Sequence, residues 1–174
     1  MGQIGAMVAD ASGVGLRYAR KLVDSIPEER FARMSSPGGQ LVIANHPAFN
    51  MGHLTLYPSR IAEMLGVDSA TAQPPAHYTG LFSKDAVCVD DVQGQNYPGK
   101  LELMEVFYRT YEAALAALRV SDDARLLAAN PVDTPLKNVC PTLGSLLAFY
   151  MIGHVTSHLG QLSTWRRMEG MPSV

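Results

Sequence analysis

Two histidines four residues apart are the strongest chemical signal in the sequence. His154 and His158 fall in a segment with helical periodicity, and a four-residue interval places both imidazoles on one face of a helix. Both rings can therefore reach a single metal ion. The same face carries Leu147 and Trp165, so the pair is expected in the interior, where imidazoles must be hydrogen-bonded or bound to a metal. The alternative is a pair that bonds to other polar groups or lies exposed at one end of a bundle.

A third ligand is expected from another segment, because two histidines on one helix hold a metal weakly. His53 is the preferred candidate, since it lies between Phe49 and Tyr57 on the apolar face of a second helical segment. His46 is seven residues earlier on the same face, about 10 Å away along the axis, and is expected at the entry of that helix. His77 falls in a long loop and is expected to be solvated. Three histidines with an open position are typical of a catalytic metal site.

Several side chains near these histidines bear on the chemistry. Gln161 follows His158 by three residues and is a candidate hydrogen-bonding partner that orients an imidazole. Tyr57 and Tyr150 each lie four residues from a candidate ligand and could donate to a substrate oxygen, although packing in the core is the more frequent role of such tyrosines. Val155 stands where a His-Glu-x-x-His metalloprotease has its glutamate, so that class of hydrolase is excluded.

Four segments with helical periodicity position these residues, at about 4–26, 47–65, 98–120 and 142–169. Pro58 lies inside the second segment and is expected to kink it, because proline removes a backbone donor and crowds the preceding turn. Residues 67–96 show no sustained period and are expected to form a long loop between helices 2 and 3, a candidate lid. The best strand candidate is the short run 41–43. One apolar stripe per helix favours an all-α four-helix bundle, in a single domain spanning 1–174.

Length and composition exclude several classes of protein. The chain has 174 residues, of which 47% are hydrophobic and 17% charged, so intrinsic disorder is excluded and a thinly charged surface is expected, such as one covered by a second subunit. The net charge of −2 without a basic cluster argues against a nucleic-acid binder. The sequence shows no secretory signal, no apolar run of membrane-spanning length and only two distant cysteines. These features predict a cytoplasmic protein with no membrane segment.

Two motifs carry a resemblance to a known family. The run GHVTSHLGQ at 153–161 resembles the last helix of the DinB/YfiT-like metalloenzymes, whose members carry a His-x-x-x-His-x-Gly-Gln signature there. A preceding helix of that family has a histidine in a Gly-His-Leu context, and Gly52-His53-Leu54 is similar to it. The resemblance follows the order of the elements over nearly the whole chain, while the sharp motifs are confined to the second and fourth helices.

The resemblance implies an up-down-down-up bundle, a homodimer, and a divalent metal held by His53, His154 and His158 with open positions for water or substrate. Imidazole ligands suit zinc or nickel, with iron and manganese as alternatives. The implied function is that of a metal-dependent enzyme acting on a small molecule, either a transferase that uses a low-molecular-weight thiol or a hydrolase. The alternative is a non-catalytic helical bundle or a stress-response binding protein, with a structural metal or a polar histidine core.

Overall fold

The chain folds into helices joined by turns. The computed structural model describes residues 2–174, and this part of the chain contains no β-strand. The helices are α1 (Gln3–Asp24), α2 (Glu28–Phe31), α3 (Pro47–Leu54), α4 (Pro58–Leu65), α5 (Tyr78–Phe82), α6 (Lys100–Val120), α7 (Asp123–Leu127), α8 (Leu143–Ala148) and α9 (Val155–Met168). None of these helices combines the length and apolar character that a membrane span requires.

The connecting segments differ from the predictions in two places. The predicted strand at 41–43 is irregular, and the Val42 N–H donates to the Ser35 carbonyl at 2.9 Å rather than to a strand partner. The predicted loop at 67–96 contains the helix α5 and a short 3₁₀ turn, Ala70–Ala72. The helix α5 packs against α3. It escaped the sequence analysis because five residues are too few to display a helical period.

Pro58 divides the second helical segment in two rather than kinking it. The helix α3 ends at Leu54, four residues before Pro58, because the proline ring would clash with the carbonyl of that residue in a continuous helix. That carbonyl instead accepts from the Tyr57 N–H at 3.3 Å. At the other end of α3, the Nδ1 atom of His46 caps the helix by accepting from the Phe49 N–H at 3.1 Å.

The last helical segment is interrupted as well. It begins with a capping box in which Thr142 and Ser145 exchange side-chain and backbone hydrogen bonds. Between α8 and α9, residues Phe149–His154 form a π-helical stretch, whose turns are wider than those of an α-helix. The predicted bounds of 142–169 agree with the structure, whereas the prediction of one regular helix is wrong.

The long helices pack around a single apolar core. The helix α1 packs against α6 and α9, α3 packs against the same two helices, and α4 packs against α6. Most of the buried apolar residues form one cluster, to which each of these helices contributes. Because α3 lies against α9, the segments that carry the candidate ligands are neighbours in the fold.

The close packing of α5 on α3 depends on a glycine. A Cβ atom at Gly52 would lie 2.5 Å from the ring of Phe82, which is completely buried. No side chain larger than hydrogen fits there unless Phe82 moves. Gly52 therefore fixes the approach of α5 to the turn that carries His53.

We predict that Gly52→Ala lowers the free energy of unfolding by about 1–3 kcal/mol, because the added methyl group overpacks against Phe82. The matched control is Gly160→Ala in α9, where an added Cβ would contact nothing within 4 Å. This control is expected to raise the free energy of unfolding by about 0.5–1 kcal/mol, since alanine is the better helix former. Urea denaturation followed by circular dichroism measures both. Equal effects of the two substitutions would contradict the predicted contact.

Candidate metal centre

Three histidines from two parts of the chain converge on one point. The Nε2 atom of His154 lies 3.3 Å from that of His53 and 3.1 Å from that of His158. One ring nitrogen from each of the three residues lies within 4.8 Å of the others. His53 is 7% exposed, while His154 and His158 are half-buried. The histidine triad (His53, His154 and His158) therefore combines one buried residue with two half-buried ones.

The hydrogen bonds behind two of the rings define their tautomers. The Nδ1 atom of His53 lies 2.7 Å from the carbonyl oxygen of Phe82. A carbonyl oxygen can only accept, so Nδ1 carries the proton. The Nδ1 atom of His158 lies 2.8 Å from Oδ1 of Asn50. The Asn50 amide nitrogen donates to the carbonyls of Asn45 and His46, so its oxygen faces His158. In the neutral rings of His53 and His158, Nε2 therefore presents a lone pair.

These two lone pairs face the Nε2 atom of His154. A hydrogen bond within the triad can satisfy only one of them. A proton on Nε2 of His154 can point at His53 or at His158, but not at both. Three nitrogens bound to one zinc ion at 2.0–2.1 Å in tetrahedral geometry lie about 3.3 Å apart. The two separations made by His154, 3.3 and 3.1 Å, are close to that value, and the third pair of nitrogens lies within 4.8 Å. The triad thus has the donor type and the tautomers that a divalent ion requires, and two of its three separations match the geometry of a bound ion.

Burial keeps the three rings neutral, which is the state that binds a metal. Desolvation lowers the pKa of His53, and the nearby Arg60 cation lowers it further. Desolvation, followed by the proximity of the two other rings, lowers the pKa of His154 to about 3. The pKa of His158 is lowered to about 4, first by desolvation and then by His53. Ligand binding at neutral pH therefore requires no proton to leave the triad.

The environment of His154 differs from that of the other two ligands. Its Nδ1 atom is buried and has no hydrogen-bond partner within residues 2–174. Its ring lies against aromatic side chains, with ring centroids 4.3 Å away for Tyr57 and 6.1 Å away for Phe149. The ring of Tyr150 lies 5.2 Å from that of Tyr57. Two of the three ligands are thus oriented by polar partners, and the third is oriented by packing and by the π-helical stretch that it ends.

The structure separates the remaining sequence candidates from the triad. His46 is completely buried at the start of α3, where its Nε2 atom donates to the Val89 carbonyl at 3.1 Å. His77 precedes α5 and is exposed, as predicted. Gln161 is exposed, and its side-chain oxygen accepts from Asn45 at 3.4 Å rather than from an imidazole. The predicted orienting role of Gln161 is wrong, because residue 161 lies on the exposed side of α9.

The true orienting groups were missed by the sequence analysis. Asn50 is completely buried on α3, one turn before His53. A polar amide within the apolar run Ala48-Phe49-Asn50-Met51 was the available signal. The sequence contains no such signal for the Phe82 carbonyl, because every residue has a backbone oxygen and its type does not show what that oxygen contacts.

Comparison with known proteins adds no relative to this description. No family model matches the chain, and no curated protein matches it significantly. The resemblance to the DinB/YfiT-like family therefore stays a prediction based on the two histidine motifs.

We predict that Asn50→Leu lowers metal affinity by about 10–100-fold, the usual cost of removing a partner that orients a ligand. Asn50→Asp keeps an oxygen for the Nδ1–H of His158 and is expected to retain most of the affinity. Competition with a chromophoric zinc chelator measures the affinity, and circular dichroism shows whether each variant is folded.

The matched control is Gln161→Ala, which removes a polar side chain that does not contact the triad. Its metal affinity is expected to equal that of the parent. The assigned role of Asn50 would be wrong if Asn50→Leu and Gln161→Ala bound the metal equally well.

We predict that His46 makes the stability of the metal-free protein depend on pH. Burial lowers the pKa of His46 to about 4 from an ordinary value of 6.5, so the unfolded chain takes up a proton at a higher pH than the folded chain does. The contribution of His46 to stability is complete above about pH 6.5 and is lost as the pH falls toward 4. His46→Asn keeps a residue type suited to capping α3. The loss of unfolding free energy between pH 7.5 and pH 5 should be about 1–2 kcal/mol smaller in His46→Asn than in the parent. Urea denaturation at the two pH values measures it, and an equal loss in both proteins would contradict the prediction.

Proposed function

We propose that this protein binds one divalent metal ion through His53, His154 and His158 and is a metal-dependent enzyme acting on a small molecule. The observation that supports the proposal is the convergence of three Nε2 atoms, two of which present lone pairs because their Nδ1 atoms donate elsewhere. We favour zinc or nickel as the ion, with iron and manganese as alternatives, because all three ligands are imidazoles.

The residues of the site have distinct parts in the proposed chemistry. A divalent ion at the triad supplies a Lewis acid that lowers the pKa of a bound water or thiol. The protein contributes three ligands and leaves the partly exposed side of the triad open to a substrate. The Tyr57 hydroxyl lies 3.4 Å from Nε2 of His53 and is placed to donate to a substrate oxygen. This set of groups suits both a thiol-dependent transferase and a hydrolase.

We also propose that the fold is an up-down-down-up four-helix bundle of the DinB/YfiT-like type. The four members are α1, the pair α3 and α4, α6, and the pair α8 and α9. Support comes from the packing of α1 and α3 against both α6 and α9, as neighbours around a bundle would pack. A cytoplasmic location and the absence of a nucleic-acid partner stay predictions from composition.

A homodimer belongs to the same proposal, and the surface between α1 and α6 favours it. Leu101 is 81% exposed there. Arg17 and Lys21 on α1 and Glu105 and Glu112 on α6 line the same groove, and none of these four is in an ion pair within residues 2–174. Two copies related by a two-fold axis could therefore pair the basic row of one with the acidic row of the other.

The alternative is a non-catalytic bundle or stress-response binding protein, in which the histidines form a polar core or hold a structural metal. The Tyr57 hydroxyl favours the polar core, because it can donate to His53 without an ion. The partly exposed side of the triad favours the enzyme, since a structural site has four protein ligands. Chelation distinguishes a structural from a catalytic ion, because a protein that depends on its metal for folding loses its helical circular dichroism.

We predict that the protein, purified without a nickel resin, contains close to one divalent ion per chain. His154→Ala and His158→Ala are expected to lose most of that metal, because each removes one of three ligands. The control is His77→Ala, which removes an exposed histidine away from the triad and should retain the full content. Elemental analysis measures all four proteins, and equal metal content in all of them would overturn the proposed site.

A further inference from the structure

Within residues 2–174, no carboxylate joins the histidine triad or bonds one of its rings, so none is placed to balance a divalent ion. The partners of His53 and His158 are a backbone carbonyl and an amide, whereas ligating histidines often donate to a carboxylate. No aspartate or glutamate of the described residues belongs to the cluster. The charged group whose field acts on His53 is the cation of Arg60. A divalent ion bound here would keep its full positive charge, next to a further positive side chain.

Arg60 is held close to the triad through Tyr57. Its guanidinium carbon lies 5.4 Å from the centre of the Tyr57 ring. The hydroxyl of that tyrosine lies 3.4 Å from Nε2 of His53, and its ring packs on the ring of His154. Arg60 is exposed and is in no ion pair within residues 2–174. In contrast, Arg30, Arg33 and Arg119 each bond a carboxylate.

A free guanidinium beside an unbalanced divalent charge attracts anions and repels cations. Its planar fork matches a carboxylate or a phosphate, with which it can form two parallel hydrogen bonds. The half-buried rings of Tyr57 and Phe149 lie beside the imidazole of His154. Tyr150 packs on both of these rings, and the three together offer a surface for an apolar or planar group.

We propose that the substrate of this site is an anionic small molecule, with a carboxylate or phosphate group bound by Arg60 and an apolar body against the aromatic rings. The inference rests on the proposed function, because the positive charge of the ion is part of the attraction. Arg60 is a specificity-determining residue in this proposal, and the triad supplies the reacting centre.

The test uses the full chain loaded with Co²⁺, whose visible absorption reports ligands that bind at or near the ion. The probe is benzoate, which combines a carboxylate with a planar apolar body, and benzamide is its neutral counterpart. Calorimetry measures the same affinities independently of the cobalt spectrum. Benzoate should bind more tightly than benzamide, and its affinity should fall as the salt concentration rises.

Arg60→Met is expected to weaken benzoate binding by about fivefold or more while leaving benzamide binding and cobalt content unchanged. Arg60→Lys, which keeps the charge but not the fork, should lie between Arg60→Met and the parent. The control is Arg17→Met, which removes an arginine from the groove between α1 and α6 and should leave benzoate binding unchanged.

The possible failures are distinguishable. A protein that takes up no cobalt overturns the proposed metal site, and the anion site with it. If a cobalt-loaded protein binds benzoate no better than benzamide, or binds it equally well after Arg60→Met, this inference is wrong and the proposed metal site stands.

Discussion

Two hydrogen bonds determine whether the histidine triad can accept a metal ion. The Nδ1 protons of His53 and His158 point at the Phe82 carbonyl and the Asn50 side chain, and this leaves both Nε2 lone pairs directed at a common point. If either tautomer were reversed, an N–H would occupy that point and exclude a cation. Both acceptors depend on packing, because Asn50 is completely buried and the approach of α5 is limited by Gly52. The chemistry of the site is therefore a property of the core and not of three residues alone.

The histidine triad is buried among neutral groups and therefore carries no charge of its own. The imidazoles are neutral because they are desolvated, and the groups behind them are neutral as well. A cation bound by these neutral groups would keep its charge, so its electric field would act on any molecule that approaches the triad. A site surrounded by carboxylates would hold its metal more tightly but would offer less attraction to an incoming anion.

Residue type and spacing were sufficient to identify the three histidines and the all-helical class, because both depend on local periodicity. They placed His46 at the entry of its helix and His77 in solvent, again from local context. Residue type and spacing did not identify Asn50 or the Phe82 carbonyl as partners of the imidazoles. The contact between His53 and the Phe82 carbonyl joins residues 29 positions apart and involves a backbone atom. Gln161 was wrongly predicted to orient an imidazole. Spacing along a helix gives the direction of a side chain around the helix axis, but it does not give the residue that the side chain contacts. The break at Pro58 was foreseen as a kink, and the steric clash with the carbonyl of Leu54 made it a complete interruption.

The π-helical stretch at Phe149–His154 has a consequence for the register of the last helical segment. Wider turns hold more residues for the same rotation, so side chains before and after the stretch no longer follow one continuous 3.6-residue repeat. Leu143 and Leu147, before the stretch, follow the helical repeat of α8. His158 and Leu162, after it, follow the repeat of α9, which is rotated relative to that of α8. If this segment is aligned with an uninterrupted helix, the buried positions of α8 or those of α9 can match, but not both. An alignment that matches both needs a gap at the π-helical stretch.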